Sequence, residues 1–285
     1  MALRKSHKGE TDMIEVNNAV KTLLANIRFM HVDDPIKTIV LTSSIPNEGK
    51  SFIAEKLTEA IATSGKTALL MECDLRHRTL ANQLGVHARH GLYSVLAGSV
   101  SASEAIVSTH VPNMFFLDAE PNIPNPSDLF NSKRFITFLT SLANAYDYVV
   151  VDTPPVGVFV DAAVLSHLAD ATILVVRENF AKRDQIRTAY EQLQKAGGNI
   201  TGVVMNYCKH QSSEYGYSYY YKEKDGGSAP SYEASAPAVS TPQQARVSAA
   251  SHSHRPPVTQ GRQSKVGFKP ITSELGNNPY YGSRH

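Results

Sequence analysis

The sequence predicts an α/β protein, with a mostly parallel β-sheet between two layers of helices. Apolar runs of strand length alternate with stretches of helical periodicity, which implies parallel strands joined by helical crossovers. The predicted strands lie near 37–43, 67–73, 114–118, 147–152, 171–177 and 200–206. The predicted helices between them span 50–63, 127–145, 160–168 and 182–196, and the last one ends before a Gly-Gly pair.

Two segments flank this alternating region, which covers residues 37–208. The N-terminal segment, 1–36, contains apolar residues at helical spacing over 13–30, so it predicts an amphipathic helix that packs on the domain. Beyond residue 208 the periodicity ends and Ser, Ala, Pro, Gly and Gln dominate. Residues 209–285 are therefore expected to be a disordered tail.

The overall composition narrows the functional classes. The chain has 285 residues, 42% of them hydrophobic, which suits one folded domain with a tail. A formal net charge of +2 gives no support for a nucleic-acid partner. Cys73 and Cys208 are far apart in sequence, which favours a reducing, cytoplasmic compartment. No stretch approaches the roughly 20 consecutive apolar residues of a membrane-spanning helix.

Residues 44–51, Ser-Ile-Pro-Asn-Glu-Gly-Lys-Ser, have the pattern of a phosphate-binding loop between a strand and a helix. In such a loop, backbone N–H groups and the following helix N-terminus surround phosphate oxygens. Lys50 is expected to reach the β- and γ-phosphates, and Ser51 to hold Mg²⁺. Ser44 stands where the usual pattern has glycine. The segment predicts a P-loop NTPase-type sandwich that uses ATP or GTP.

Two further predicted strands end on acidic residues. Residues 148–152 form an apolar run that ends on Asp152, where a carboxylate can order the water shell of Mg²⁺. The run 67–76 places Glu72 and Asp74 at the end of another strand. The carboxyl ends of parallel strands meet at one edge of a sheet, so these acids are expected close to the phosphate loop.

The beginning of the tail is rich in tyrosine. Eight of the 13 tyrosines of the chain lie beyond residue 209. An exposed segment gains nothing by burying aromatic rings, so their density needs another reason. Phosphorylation, aromatic stacking with a partner and weak self-association are the alternatives. The dense cluster consists of Tyr215, Tyr217, Tyr219, Tyr220 and Tyr221.

Taken together, these features resemble those of the bacterial tyrosine kinases of capsule and exopolysaccharide synthesis, over about residues 13–221. The segments 125–135, 161–165 and 202–206 are also typical of that family. The resemblance implies transfer of the γ-phosphate of Mg-ATP to the tail tyrosines of a neighbouring copy, which regulates polysaccharide synthesis or export. The chain is similar to the stand-alone cytoplasmic members, which work with a separate transmembrane adaptor.

The resemblance also implies residue roles. The catalytic residues would be Lys50, Glu72, Asp74 and Asp152. The Mg²⁺ ligands would be Ser51, Asp74 and Asp152. The nucleotide would contact Asn47, Glu48, Gly49, Lys50, Ser51, Phe52 and Arg76. The phosphoacceptors would be the five clustered tyrosines, and Glu72 would be the base for the incoming tyrosine, although its carboxylate is one methylene further from the backbone than the family's usual aspartate.

Two other features depart from the family pattern. Arg78 stands where proline is usual. The first helix usually carries Glu-x-x-Arg-x-x-Arg, which joins neighbouring copies in a ring, but Asn18, Lys21 and Leu24 occupy those positions. Phosphorylation between copies is expected without a ring built on that contact. The expected partners are the adaptor at the inner face of the cell membrane, further copies of the chain and a cognate tyrosine phosphatase.

Two alternative functions share these features. The first is a nucleotide-switch ATPase of the partition or septum-positioning type. Those proteins usually have an extra lysine early in a glycine-rich loop, where Ser43, Ser44 and Pro46 stand here. The second is a scaffold that binds nucleotide and an adaptor but phosphorylates weakly, which Glu72 and the altered first helix would suit.

Overall fold

The computed structural model describes residues 3–30, 35–120, 123 and 126–208. In these residues the strands are β1 Thr38–Ser43, β2 Ala68–Glu72, β3 Ile106–Ser108, β4 Met114–Leu117, β5 Tyr148–Asp152, β6 Ala171–Arg177 and β7 Ile200–Asn206. The helices are α1 Leu3–Met30, α2 Lys50–Thr63, α3 Leu80–Leu84, α4 Leu92–Ala97, α5 Ala102–Ala105, α6 Pro126–Phe130, α7 Lys133–Ala145, α8 Asp161–Leu168 and α9 Arg183–Lys195. The tail, 209–285, with its tyrosine cluster lies outside the described residues.

The strands form one sheet in the order β3-β4-β2-β5-β1-β6-β7. All neighbouring strands pair in parallel except β3 and β4, which are antiparallel. The predicted α/β class with a mostly parallel sheet is therefore confirmed. All six predicted strands are present, whereas β3 was not predicted because three residues are too few to show a periodicity.

The prediction of one continuous helix over 127–145 is wrong. The segment is divided into α6 and α7 because the Ser132 hydroxyl accepts a hydrogen bond from the backbone N–H of Phe135 and so begins a new helix. Three short helices, α3 to α5, also lie between β2 and β3, where no element was predicted.

Both faces of the sheet are covered, which explains why its strands read as continuous apolar runs. Ile39 and Leu41 of β1 pack on the side of α1, α2 and α3. Val40, between them, packs with Phe135 and Leu139 of α7 on the opposite side. A smaller cluster joins β6 to α8 and α9. This arrangement is the predicted three-layer sandwich.

The helix α1 packs along α2. Its buried side chains Val20, Leu24 and Ile27 belong to the same apolar cluster as Ile61 of α2. The Arg28 guanidinium also donates a hydrogen bond to the Ser64 hydroxyl just after α2, at 2.9 Å. Among the described residues no helix is both long enough and apolar enough to cross a membrane.

The strand order brings three strand ends together. In the sheet β5 lies between β2 and β1, and β1 lies between β5 and β6. The chain passes from β1 through α2 to β2, and later from β5 through α8 to β6. In the β2–β5 pair Glu72 is opposite Asp152, and in the β1–β5 pair Leu41 is opposite Asp152. The first helix after β1 begins at Lys50. The carboxyl edge of the sheet therefore holds the phosphate loop and the acidic residues.

Candidate active site

The phosphate loop joins β1 to α2 through two residues in left-handed conformation. Asn47 has φ 67° and Gly49 has φ 87°. Gly49 precedes the first helical residue, and its carbonyl accepts from the N–H of Ile53 at 3.0 Å, so α2 begins directly at Lys50. The first N–H groups of a helix have no partner within the helix. This N-terminus can therefore donate to an anion, as the sequence motif predicts.

The Glu48 side chain points into the protein and holds the loop. Its Oε2 accepts from the Ser44 hydroxyl at 2.6 Å and from the Ile45 N–H at 2.9 Å. Its Oε1 accepts from the N–H of Arg177, at the end of β6, at 3.1 Å. Glu48 is fully buried, so only its backbone is placed to contact a nucleotide. Ser44, at the position where glycine is usual, serves here as a hydrogen-bond donor to this carboxylate.

Asn206, the last residue of β7, supports the loop from the other side. Its Nδ2 donates to the Glu48 carbonyl at 2.9 Å. A Cβ atom on Gly49 would overlap this same Nδ2. Sequence reasoning missed Asn206 as a site residue, because β7 is about 150 residues from the loop in sequence and only the sheet brings them together.

A Gly49→Ala variant is expected to bind nucleotide at least about tenfold more weakly and to unfold at a lower temperature, because the added methyl must displace Asn206 and strain a positive φ. Gly65→Ala is the matched control. Gly65 has nearly the same φ, 86°, and its added Cβ would meet nothing within 4 Å. Calorimetric titration and thermal melts of both variants measure the difference. Equal losses in the two would contradict the role of the Asn206 contact.

Lys50, Ser51, Asp74 and Asp152 form one connected cluster beside the loop. The Lys50 Nζ lies 3.0 Å from Oδ2 of Asp74 and 3.8 Å from Oδ2 of Asp152. The Ser51 hydroxyl donates to the same Asp152 oxygen at 2.5 Å. Burial alone would lower the pKa of Lys50, but Asp152 and Asp74 together raise it above its ordinary value. The ammonium group is thus held charged by the two carboxylates.

Glu72 is completely buried next to this cluster. Its Oε2 accepts from the N–H groups of Thr79 and Leu80, at 3.1 and 3.0 Å, and so caps the first turn of α3. Burial, together with the charge of Asp152, raises the pKa of Glu72 to about 8. The remaining oxygen of Glu72 and Oδ1 of Asp152 are buried acceptors without a donor.

The raised pKa of Glu72 predicts a pH-dependent stability. Because the folded state favours the neutral carboxyl, this contribution is complete below the ordinary pKa of 4.5 and is lost as the pH rises through about 8. The free energy of unfolding of the nucleotide-free protein should therefore fall between about pH 5 and pH 8. Glu72→Gln should flatten this slope, which chemical denaturation at several pH values measures. An unchanged slope would show that Glu72 is not the titrating group.

The cluster has the groups that a nucleotide-bound Mg²⁺ requires. No group of three or more His, Cys, Asp or Glu side chains in the described part of the chain is arranged to hold a metal by itself. Mg²⁺ bound with nucleotide phosphates needs only one or two carboxylates and keeps several waters. The donorless Oδ1 of Asp152 and the Ser51 hydroxyl beside Oδ2 suit such an ion. Burial raises the pKa of Asp152 to about 6, although the charge of Lys50 and the hydrogen bond from Ser51 lower it. A cation bound beside Asp152 would favour the ionised carboxylate.

Two residues predicted to contact the nucleotide have side chains that instead contact other parts of the protein. The Arg76 guanidinium pairs with Asp161 of α8 at 3.0 Å and lies over the Phe159 ring, 4.3 Å from its centroid. Asp161 also accepts from the Ser127 hydroxyl at 2.7 Å, so Arg76 belongs to a junction of the β2–α3 loop with α6 and α8. Phe52 packs against the core cluster on the α2 side of the sheet.

Arg78, where the family usually has proline, forms a two-bond ion pair that sequence reasoning missed. Its Nε and one terminal nitrogen contact the carboxylate of Asp118 at the end of β4, at 3.3 and 2.5 Å. Asp118 is almost fully buried. A planar guanidinium that meets a carboxylate through two bonds fixes orientation as well as distance. The pair therefore anchors the loop after Asp74 to the neighbouring strand.

Fold and site together define a P-loop-type nucleotide-binding protein, and the family model described as AAA domain matches residues 36–199. Tyrosine-protein kinase YwqD of Bacillus subtilis is 34% identical over 198 residues, which cover 69% of this chain and 84% of that protein. The chain belongs to the family of bacterial tyrosine-protein kinases, as the resemblance in the sequence implied.

A solved tyrosine-kinase structure agrees with this family, and a more distant structure shares the fold alone. The kinase domain of Escherichia coli tyrosine kinase ETK is 29% identical with a TM-score of 0.65, and the match covers 70% of this chain and 79% of that one. Septum site-determining protein MinD from Pyrococcus horikoshii, solved with Mg-ADP, has the same fold at 24% identity and a TM-score of 0.52, over 59% of this chain and 69% of that one.

Proposed function

We propose that this chain is an ATP-dependent protein-tyrosine autokinase. It transfers the γ-phosphate of Mg-ATP to Tyr215, Tyr217, Tyr219, Tyr220 and Tyr221 of another copy. In this proposal a transmembrane adaptor holds it at the inner face of the cell membrane and activates it, and the reaction regulates capsule or exopolysaccharide synthesis. The observation that carries the proposal is the cluster of Lys50, Ser51, Asp74 and Asp152 beside the phosphate loop, in a chain of the tyrosine-kinase family.

The residues of the cluster divide the chemistry between them. Mg²⁺, when bound, neutralises phosphate charge, and Ser51 and Asp152 would hold it with Asp74 ordering its waters. Lys50 now lies between two carboxylates and would turn toward the β- and γ-phosphates. The backbone of Asn47, Glu48 and Gly49 and the beginning of α2 would donate to the phosphates. Positioning and charge stabilisation carry most of the rate in phosphoryl transfer.

Glu72 can act as the base for the tyrosine only if the loop from Cys73 to Thr79 opens. Its carboxylate is fully buried and is held by α3. An unperturbed tyrosine has a pKa near ~10, so a nearby acceptor is useful but positioning comes first. The burial of Glu72 favours a second candidate, a nucleotide-binding scaffold with weak kinase activity. Glu72→Gln separates the two, because it should lower phosphorylation without lowering ATP affinity only if Glu72 is the base.

The proposal is tested by mapping phosphotyrosine on the purified full-length chain by mass spectrometry after incubation with Mg-ATP, with and without the cytoplasmic end of a candidate adaptor. Phosphate on the five clustered tyrosines is expected, and it should increase with the adaptor. ATP binding without phosphotyrosine under either condition would overturn the kinase assignment and leave the scaffold. Phosphate only on tyrosines outside the cluster would keep the kinase and reject the five clustered tyrosines as its substrate.

A further inference from the structure

The loop of residues 73–79, which joins β2 to α3, is tied down on both sides of its own strand. In the sheet β2 lies between β4 and β5. On one side Arg78 pairs with Asp118, directly after β4. On the other side Arg76 pairs with Asp161, the first residue of α8, and α8 follows β5. The loop therefore lies across the carboxyl edge of the sheet as a strap with two ties.

Both carboxylates that hold the strap are fixed points of the fold. Asp118 is 4% exposed; its carbonyl accepts from the Leu92 N–H at 2.8 Å, and its Oδ1 accepts from the Ala119 N–H at 2.8 Å. Asp161 is 1% exposed and accepts from the Ser127 hydroxyl at 2.7 Å. A pair with one buried and immobilised partner loses less side-chain entropy and is screened less than an exposed pair. These pairs are therefore strong enough to restrain the strap.

The end of the strap covers Glu72. The N–H groups of Thr79 and Leu80 donate to the Glu72 carboxylate, which is fully buried under them. Arg78 is the residue directly before Thr79, so a displacement of Arg78 also displaces the donors that cover Glu72. The pair of Arg78 with Asp118 is thus the tie nearest to the covered carboxylate.

We propose that Arg78 and Asp118 are positioning residues, which keep the strap closed over Glu72 and so control access to its carboxylate. The consequence for catalysis rests on the function proposed above, in which Glu72 receives the proton of the incoming tyrosine. The closure itself does not depend on that function. Proline, which is usual in the family at position 78, carries no charge, so this control belongs to the sequence of this chain.

The test variant is Asp118→Asn in the full-length chain. Asparagine keeps an oxygen for the Ala119 N–H but has no charge, and its NH₂ group opposes the guanidinium of Arg78. The Arg78 side chain is 31% exposed, so it stays hydrated instead of becoming a buried unpaired charge. The matched control is Glu191→Gln, the same kind of change in the Arg187–Glu191 pair on α9, which is remote from the strap.

The measurement is residue-resolved hydrogen exchange without nucleotide. The amides of Thr79 and Leu80 are the probes, and the amide of Val150, in a strand paired on both sides, is the internal reference. Both probes are expected to exchange at least about tenfold faster in Asp118→Asn than in the wild type and the control, with Val150 unchanged. Equal probe rates in all three proteins, or equal acceleration at Val150, would overturn the proposal.

A double-mutant cycle separates the pair from a general loosening of the loop. Arg78→Gln removes the other partner of the same contact, so adding it to Asp118→Asn should leave the exchange of Thr79 and Leu80 within about twofold of the single variant. Effects of the two changes that simply add would overturn a role of the pair.

The consequence for catalysis is measured at saturating Mg-ATP. The initial rate of phosphotyrosine formation should be at least about threefold higher in Asp118→Asn, with the affinity for ATP within about twofold of the wild type. Faster exchange with an unchanged or lower rate would overturn the control of access. Absence of phosphotyrosine in the wild type and the variant would instead reject the proposed kinase function. The exchange rates, measured without ATP, would still support or overturn closure by the pair.

Discussion

Lys50→Met is expected to lower tyrosine phosphorylation at least about 100-fold. The Lys50 ammonium is the only cationic side chain within 4.0 Å of Asp74 and Asp152 in the described residues, and Lys50 is the first residue of α2, directly after the phosphate loop. Methionine has similar length but no charge, so it cannot stabilise the transferring phosphoryl group. Phosphotyrosine per chain at saturating Mg-ATP measures the loss.

Lys56→Met is the matched control for this variant. Lys56 lies on the same helix, and its mostly buried ammonium pairs with Glu59 and Glu55, at 2.8 and 3.2 Å. Its replacement should leave phosphorylation within about twofold of the wild type, since neither glutamate belongs to the cluster of Lys50, Ser51, Asp74 and Asp152. Equal activity of the Lys50 and Lys56 variants would mean that phosphate binding does not use Lys50.

Asp152→Asn is expected to weaken Mg-dependent nucleotide binding at least about tenfold and to lower phosphorylation by a larger factor than binding. The amide keeps the shape of the side chain but removes the charge, and its NH₂ group opposes a cation. It also disturbs the acceptor of the 2.5 Å hydrogen bond from Ser51. Titration of a fluorescent ATP analogue with and without Mg²⁺ separates metal-dependent binding from the rest.

The control for Asp152 is Asp147→Asn, just before the opposite end of β5. Asp147 accepts from the N–H and the hydroxyl of Thr67, at 2.8 and 2.9 Å, and contacts no residue of the cluster at the carboxyl edge. Its replacement should lower the melting temperature without changing the Mg²⁺ dependence of binding. A loss of Mg²⁺ dependence in both variants would show that the effect is a general loss of stability.

The parts of the site that could be predicted from the sequence are those whose residues lie close together in the sequence. The phosphate loop places Gly49, Lys50 and Ser51 within three residues, and strand-end acids follow directly from apolar runs. Parallel strands with helical crossovers then bring these segments to one edge. That local information was enough for the fold, the phosphate loop and the cluster.

The residues that hold these parts in place could not be predicted, because their partners are distant in sequence. Asn206 contacts the loop across 158 positions, and Arg177 donates its N–H to Glu48 across 129. The Arg76 pair with Asp161 spans 85 positions. A glutamate within a loop motif also gives no sign of whether its side chain points to a ligand or into the protein. The inward direction of Glu48 depends on donors that only the folded sheet brings near it.

We expect one copy to phosphorylate the tail tyrosines of another through the Lys50 cluster. Mixing two full-length variants with Mg-ATP and the cytoplasmic end of the adaptor tests this transfer. One carries Lys50→Met with all its tyrosines, and the other has phenylalanine in place of Tyr215, Tyr217, Tyr219, Tyr220 and Tyr221. We predict phosphotyrosine on the clustered tyrosines of the Lys50→Met chain in the mixture and none when that chain is incubated alone. No phosphotyrosine on that chain in the mixture, while the wild type alone is phosphorylated on its cluster, would contradict transfer between copies.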